Sequence, residues 1–151
     1  MKISAGILLY RFNKQFRVEF LIVHPSGEYN SNKPWSVPKG HVDENEDPIM
    51  TARRELMEEC GVVAPGELIS MGSTIYRYGN KKLTCFLGEA TKDCIPICNS
   101  WEIDHAMFCE ADQAILNLHE AHREFVYFAL NHIFNVKIKG LINSNIESEL
   151  E

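Results

Sequence analysis

Two closely packed apolar runs open the chain, "KISAGILLYR" (residues 2–11) and "FRVEFLIVHP" (16–25), with the polar "FNKQ" between them. Their β-branched and aromatic content predicts two strands joined by a turn, an antiparallel pair at the start of the domain. "SGEYNSNKP" has the composition of a loop, and "WSVPKG" predicts a short extended piece that its proline ends. A helix is expected from Asp47-Pro48, because proline is pre-organised for the first helical turn and acids there suit the helix dipole. Ile49, Ala52, Leu56 and Cys60 follow at spacings of three and four, a stripe for packing on a sheet, and Gly61 is the stop.

Further along, "ELISMGSTIYRYG" and "KKLTCFLGEAT" flank Gly79-Asn80 and predict a second hairpin. "IDHAMFCE" reads as another strand and "ADQAILNL" as a short helix. "EAHREFVYFALNHIF" reads as a longer helix, with Phe125, Phe128, Ala129 and His132 spaced for packing. The end of the chain, "NSNIESELE", is polar and acidic and is expected to fray. One domain over residues 1–135 followed by a polar acidic tail, 136–151, accounts for the pattern.

Composition adds limits. The chain is 45% hydrophobic and 24% charged, an ordinary globular balance for 151 residues. No apolar run approaches the roughly 20 residues that span a bilayer, and the N-terminus shows no leader pattern, so a cytoplasmic protein without membrane contact is expected. Five cysteines without a Cys-x-x-Cys pair read as reduced thiols. His119-Glu120-Ala121-His122 falls one residue short of a zinc-protease spacing and reads as surface histidines on a helix. The net charge of −6 argues against a nucleic-acid duplex as partner.

That charge is unevenly placed, for residues 43–59 alone carry a balance of −5. Within it stands "RRELMEEC", where Glu55, Glu58 and Glu59 recur at spacings of three and four. At about 100° per residue, Glu59 lies roughly 40° to one side of Glu55 and Glu58 about 60° to the other. Two full charges about 6 Å apart repel by on the order of 2–3 kcal/mol at an effective dielectric near 20. A hard divalent cation bound by carboxylate oxygens would relieve such crowding in a cleft. On the helix alone, a solvated acidic face with Arg53 and Arg54 as counter-charges explains it equally well. In either case the glutamates are expected on an open face and the apolar stripe on a buried one.

The register of the neighbouring residues shifts this balance. Gly40 is followed after five residues by Glu46 and, after seven more, by "RELMEECGV" (54–62). This pattern resembles the signature of the Nudix (MutT-like) hydrolase family at every defined position. The resemblance implies an α/β/α sandwich with a mixed central sheet, and cleavage of a pyrophosphate bond in a nucleoside diphosphate linked to another group. It further implies Mg²⁺ or Mn²⁺ held by Glu58 and Glu59 with Glu55 and the carbonyl of Gly40. Such cations activate water, orient a polyphosphate and neutralise the leaving phosphate. Arg54 and Glu46 match positions where an ion pair orients the loop, and Gly61 closes the signature. Lys39 stands where it could meet a phosphate oxygen. The proton acceptor is left open among Glu55, Glu59 and, from a distant loop, Glu102.

The substrate rests on weaker features. "WSVPKGHVDENED" is similar to the corresponding stretch of diadenosine polyphosphate and diphosphoinositol polyphosphate hydrolases. Tyr78 follows Gly61 by seventeen residues, near a tyrosine that stacks on a base in the diadenosine tetraphosphate enzymes. Tyr76 would share its strand face. The proline of ADP-ribose hydrolases, about fifteen residues beyond the signature, is replaced by Arg77. The expected partner is therefore a small nucleotide polyphosphate, first a dinucleoside tetraphosphate cleaved asymmetrically, handled by a monomer or homodimer. Alternatives are a nucleoside triphosphate, an oxidised nucleotide or a diphosphoinositol polyphosphate as substrate, and a nucleotide-sensing module without turnover.

Overall fold

The computed structural model describes the backbone of residues 1–150 and all of their side chains except those of 136–138 and 144–150. The acidic end expected to fray falls largely among the side chains outside that description. The elements are β1 (Lys2–Phe12), β2 (Val18–Pro25), β3 (Lys39–His41), α1 (Pro48–Cys60), β4 (Ile69–Ile75), β5 (Lys81–Glu89), β6 (Ile103–Glu110), α2 (Ala111–Asn117) and α3 (Glu120–Leu150). A short 3₁₀ turn, Glu28–Asn30, interrupts the loop after β2. The last helix passes through residue 135, where the domain was expected to close.

The strands form one sheet in the order β4-β5-β1-β2-β6, with β3 also on β1. Only β1 and β5 run parallel, over Lys2↔Lys81 to Tyr10↔Glu89, so the sheet is mixed as expected. Central strands here are apolar almost without a break because both faces are covered. Ile7 and Leu9 of β1 pack with Ala52, Leu56 and Cys60 of α1. Leu8 packs with Phe125, Val126, Ala129 and Ile133 of α3 on the other face. The result is a three-layer α/β/α sandwich, and its central strand sends alternate side chains into two separate cores.

One edge of β1 is taken by β5, and the other is divided: β2 pairs residues 10–12 and β3 pairs residues 4–6. This division brings the segment before α1 against the sheet. In "WSVPKG" the bridged residues Trp35 and Ser36 stop short of Pro38 as expected, and a new strand, β3, begins directly after it. Pro38 lacks an N–H, but its carbonyl accepts from Ile7 at 3.2 Å and so leads the chain into β3. Gly6 permits that approach, since a Cβ there would stand 2.5 Å from the Pro38 oxygen.

In α1, Asp47 caps the N-terminus by accepting from the Met50 N–H at 2.9 Å, with Pro48 at the first turn. Gly61 closes it in the left-handed region at φ 65°, its N–H donating to the Met57 carbonyl. Two details of the sequence reading need correction. Ile49 is 42% exposed, and Thr51 is buried instead, its hydroxyl donating to Glu46 Oε1 at 2.9 Å. In α3 the buried stripe is His122, Phe125, Val126, Ala129 and Ile133, while Phe128 is exposed and His132 only half-buried. All five cysteines are free thiols, and among the described residues no helix is long and apolar enough to cross a membrane.

Candidate active site

The three glutamates of α1 do not share one open face. Glu55 and Glu59 are buried, at 8% and 6% exposure, whereas the Glu58 side chain is 54% exposed. Gly40 of β3 lies against the Glu55 carboxylate, so that side of the helix is covered while Glu58 remains outside.

Arg54 organises this seam. Its Nε donates to Glu46 Oε2 at 2.8 Å and its Nη2 to Glu46 Oε1 at 3.0 Å, a two-pronged pairing of loop and helix. Nη1 reaches Glu55 Oε1 at 3.0 Å and both oxygens of Glu58 at 3.2 Å, and Nη2 also meets the His41 carbonyl at 3.2 Å. The guanidinium holds Glu46 down to about 2, with further help from the Thr51 hydroxyl. Glu55 instead packs on Gly40, where a Cβ would overlap its carboxylate. Glycine is required there by close approach.

Glu59 is the outlier in this network. Its buried Oε2 has no hydrogen-bond partner. Burial, and then the neighbouring Glu55 charge, push its pKa up to about 8. Burial raises Glu55 as well, against the pull of Arg54. An unpartnered buried carboxylate oxygen is costly, and beside Glu55 and the glycine backbone it forms a hard-oxygen donor set suited to a divalent cation. Within the described residues, the one set of three His, Cys, Asp or Glu ligand atoms lying within 4.8 Å of one another is elsewhere, at His24, Asp104 and His105. There His24 is already engaged, Nδ1 with Asp104 at 2.9 Å and Nε2 with the Lys33 carbonyl at 3.1 Å.

A cleft of about 610 Å³ opens beside Gly40, lined among others by Lys33, Trp35, Lys39, Tyr76, Tyr78 and Lys81. A smaller cavity of about 170 Å³ joins Lys39, Glu59 and Glu102. Lys39 is partly withdrawn from water, and burial lowers its pKa although Glu59, Glu55 and Glu102 oppose the change. Glu102 sits in the turn before β6, in reach of the same cavity.

Tyr76 and Tyr78 both reach the cleft but do not share a strand face, because β4 ends at Ile75 and both lie in the connection to β5. Tyr78 is 79% exposed. Tyr76 is half-buried, its hydroxyl 2.5 Å from His122 Nε2. His122 is not a surface histidine: it is 1% exposed. Its spacing of four, seven and eleven to Val126, Ala129 and Ile133 was the signal in the sequence that would have placed it inside. Lys33, Trp35, Lys81 and His119, which also line the cleft, carry no such signal, because loops and strand ends deliver them.

The buried carboxylates of α1 thus stand near a cleft lined by Lys33, Lys39 and Lys81. A family model described as the NUDIX domain matches residues 1–128, and the chain belongs to that family. An RNA pyrophosphohydrolase of Bartonella henselae is 57% identical over 60 residues, covering 39% of this chain and 35% of that protein. A bis(5'-nucleosyl)-tetraphosphatase [asymmetrical] of Sus scrofa is 32% identical over 97 residues, 61% of this chain and 60% of its own length. The chain thus spans about a third to three fifths of these curated relatives. The solved structure of a C. elegans Ap4A hydrolase binary complex superposes with a TM-score of 0.77 at 22% identity, over 89% of this chain and 99% of that one, a likeness of fold.

Proposed function

We propose that the chain is a metal-dependent pyrophosphohydrolase whose substrate is a dinucleoside tetraphosphate, cleaved asymmetrically to a nucleoside triphosphate and a monophosphate. The observation that carries this reading is the junction of two opposite environments. The unpartnered, buried Glu59 oxygen lies beside Lys39, and Lys39 opens into a cleft whose other cations are Lys33 and Lys81. A chain of phosphates laid there meets ammonium groups along its length and carboxylates at one point.

Gly40 through its carbonyl, Glu55 and Glu59 would hold the cation, Mg²⁺ or Mn²⁺, and Glu58 would join them on leaving Arg54. When bound, it supplies Lewis-acid polarisation of phosphoryl oxygen and offsets charge on the leaving phosphate. The remaining roles belong to the chain's own residues. Lys39 binds phosphate oxygens as a point charge. Arg54 and Glu46 fix the loop that presents Gly40, and Gly61 lets the chain leave the helix beside Glu59. Trp35 and the exposed Tyr78 offer aromatic faces for a base at the cleft mouth. Glu55 is tied to Arg54, and Glu59 would be taken up by the cation. The carboxylate free to take a proton from water and return it to solvent is therefore Glu102.

The test is a substrate panel with Mg²⁺ or Mn²⁺: dinucleoside polyphosphates, nucleoside triphosphates including oxidised ones, ADP-ribose and diphosphoinositol phosphates. An RNA with a pyrophosphate-bearing end belongs in it too, given the 57% identity over 60 residues. Diadenosine tetraphosphate should turn over fastest, and reaction in ¹⁸O-water should label the monophosphate. Label in the triphosphate would move the attack to an inner phosphorus, and no turnover of any substrate would leave a nucleotide-sensing module. Glu59→Gln should weaken cation binding, whereas Glu102→Gln should lower kcat by about 10²–10⁴-fold with cation affinity intact.

A further inference from the structure

The cleft lining contains two histidines whose protonation pattern is decided by the backbone. The Val37 N–H donates to His122 Nδ1 at 3.4 Å. A backbone amide can only donate, so Nδ1 is the acceptor nitrogen and the single proton of the neutral ring sits on Nε2. Nε2 in turn faces the Tyr76 hydroxyl at 2.5 Å. Since Nε2–H donates, the Tyr76 oxygen accepts, and the phenolic proton must point elsewhere. His119 is set in the same way: the Ala121 N–H donates to its Nδ1 at 3.0 Å, which leaves Nε2 as an N–H donor. Tyr76, His119 and His122 all line the cleft.

We infer that His122 is a positioning residue that orients Tyr76 as a hydrogen-bond donor into the cleft, so that Tyr76 and His119 together form a donor-only wall selecting a phosphate oxyanion. The inference rests on reading the cleft as a polyphosphate site, and it gives Tyr76 a different task from Tyr78. Tyr78 offers a ring face at the mouth, whereas Tyr76 offers its O–H further in. A wall of donors beside Lys39 and Lys81 favours groups that carry only lone pairs over ammonium groups, which carry only protons. Burial keeps His122 neutral, its pKa lowered to about 3 by desolvation and then by Lys39, and burial holds the Tyr76 phenol protonated, up to about 12. The polarity is therefore constant across the physiological range.

Two measurements test this independently of turnover. In ¹⁵N-labelled protein, the imidazole spectrum of His122 should show a protonated Nε2 and a bare Nδ1. The opposite tautomer overturns the inference whatever the substrate proves to be. Binding of methylenediphosphonate, a non-hydrolysable pyrophosphate analogue, should weaken roughly 10-fold or more in Tyr76→Phe, a change that retains any ring-stacking role. His122→Gln keeps one acceptor for Val37 and one donor for Tyr76 and should stay within about threefold of wild type, while His122→Leu should follow Tyr76→Phe. Unchanged binding in Tyr76→Phe would sink the proposal even if His122→Leu failed to fold. If the tautomer and the binding losses are found but no polyphosphate is hydrolysed, the relay stands and the proposed reaction falls.

Discussion

Single residues in this chain carry environments that a pH series can read. His122 has its pKa lowered from the ordinary histidine value of 6.5 to about 3 by burial. Below pH 6.5 the unfolded chain takes up a proton that the folded one refuses, so this side chain lends stability above 6.5 and withdraws it as pH falls toward 3. The withdrawal approaches about 1.4 kcal/mol per pH unit. Glu59 acts in the opposite direction between its ordinary value and about 8, so the wild-type curve alone would hide the effect. The quantity to measure is the difference in unfolding free energy between wild type and His122→Gln by urea titration. It should grow with pH from about 3 to 6.5 and then level off, and a difference that does not vary with pH would contradict the burial argument. His119, also lowered by burial, contributes equally to both proteins. Gly40 supplies a second reading at this scale. In Gly40→Ala the new methyl displaces the Glu55 carboxylate, and a shift of about 1 Å in such a group should lower kcat/KM by roughly 10²-fold while the melting temperature changes little.

At the level of elements, the strands and helices were legible because each has a strong local cause. Ile103–Glu110 and Ala111–Asn117 match their expected segments, and α1 starts at the proline and ends at the glycine that the sequence points to. What stayed hidden depends on partners distant in the chain. β3 exists because the Pro38 carbonyl finds Ile7, and Glu55 and Glu59 are buried because β3 covers their side of the helix. Helical spacing could bring the carboxylates together, but it could not say which of them would be sealed from water. The helix end is a point where sequence and structure agree and a number follows. Gly61 adopts φ 65°, and a Cβ there would also stand 3.0 Å from Ile97. Gly61→Ala is thus expected to cost about 1–2 kcal/mol, lowering the melting temperature by about 2–8 °C. The end of α1 should loosen next to Glu59, so activity should fall further than stability alone explains.

Over the whole molecule, most of the net charge of −6 lies in the short segment that carries the glutamates, and part of that charge is buried without a partner. On the proposed reading, this arrangement gives up folding stability at the site that would hold a cation. With divalent ions chelated at pH 7, the raised Glu59 pKa costs up to about 3 kcal/mol, since the unfolded chain ionises this group and the folded one resists. Cation binding there would displace the proton and stabilise the fold by mass action, about 2.7 kcal/mol at a hundredfold excess over Kd. Mg²⁺ or Mn²⁺ should therefore raise the melting temperature by about 5–11 °C, more at pH 8 than at pH 6 because the ion competes with a proton. Glu59→Gln should reverse the order of the two states: the chelated protein melts higher than chelated wild type, and the added ion lifts it much less. Scanning calorimetry of both proteins with chelator and with ion decides the matter. Equal shifts in wild type and variant would mean that the cation does not use Glu59, and a wild type indifferent to the ion would return the acidic helix face to the role of a solvated surface.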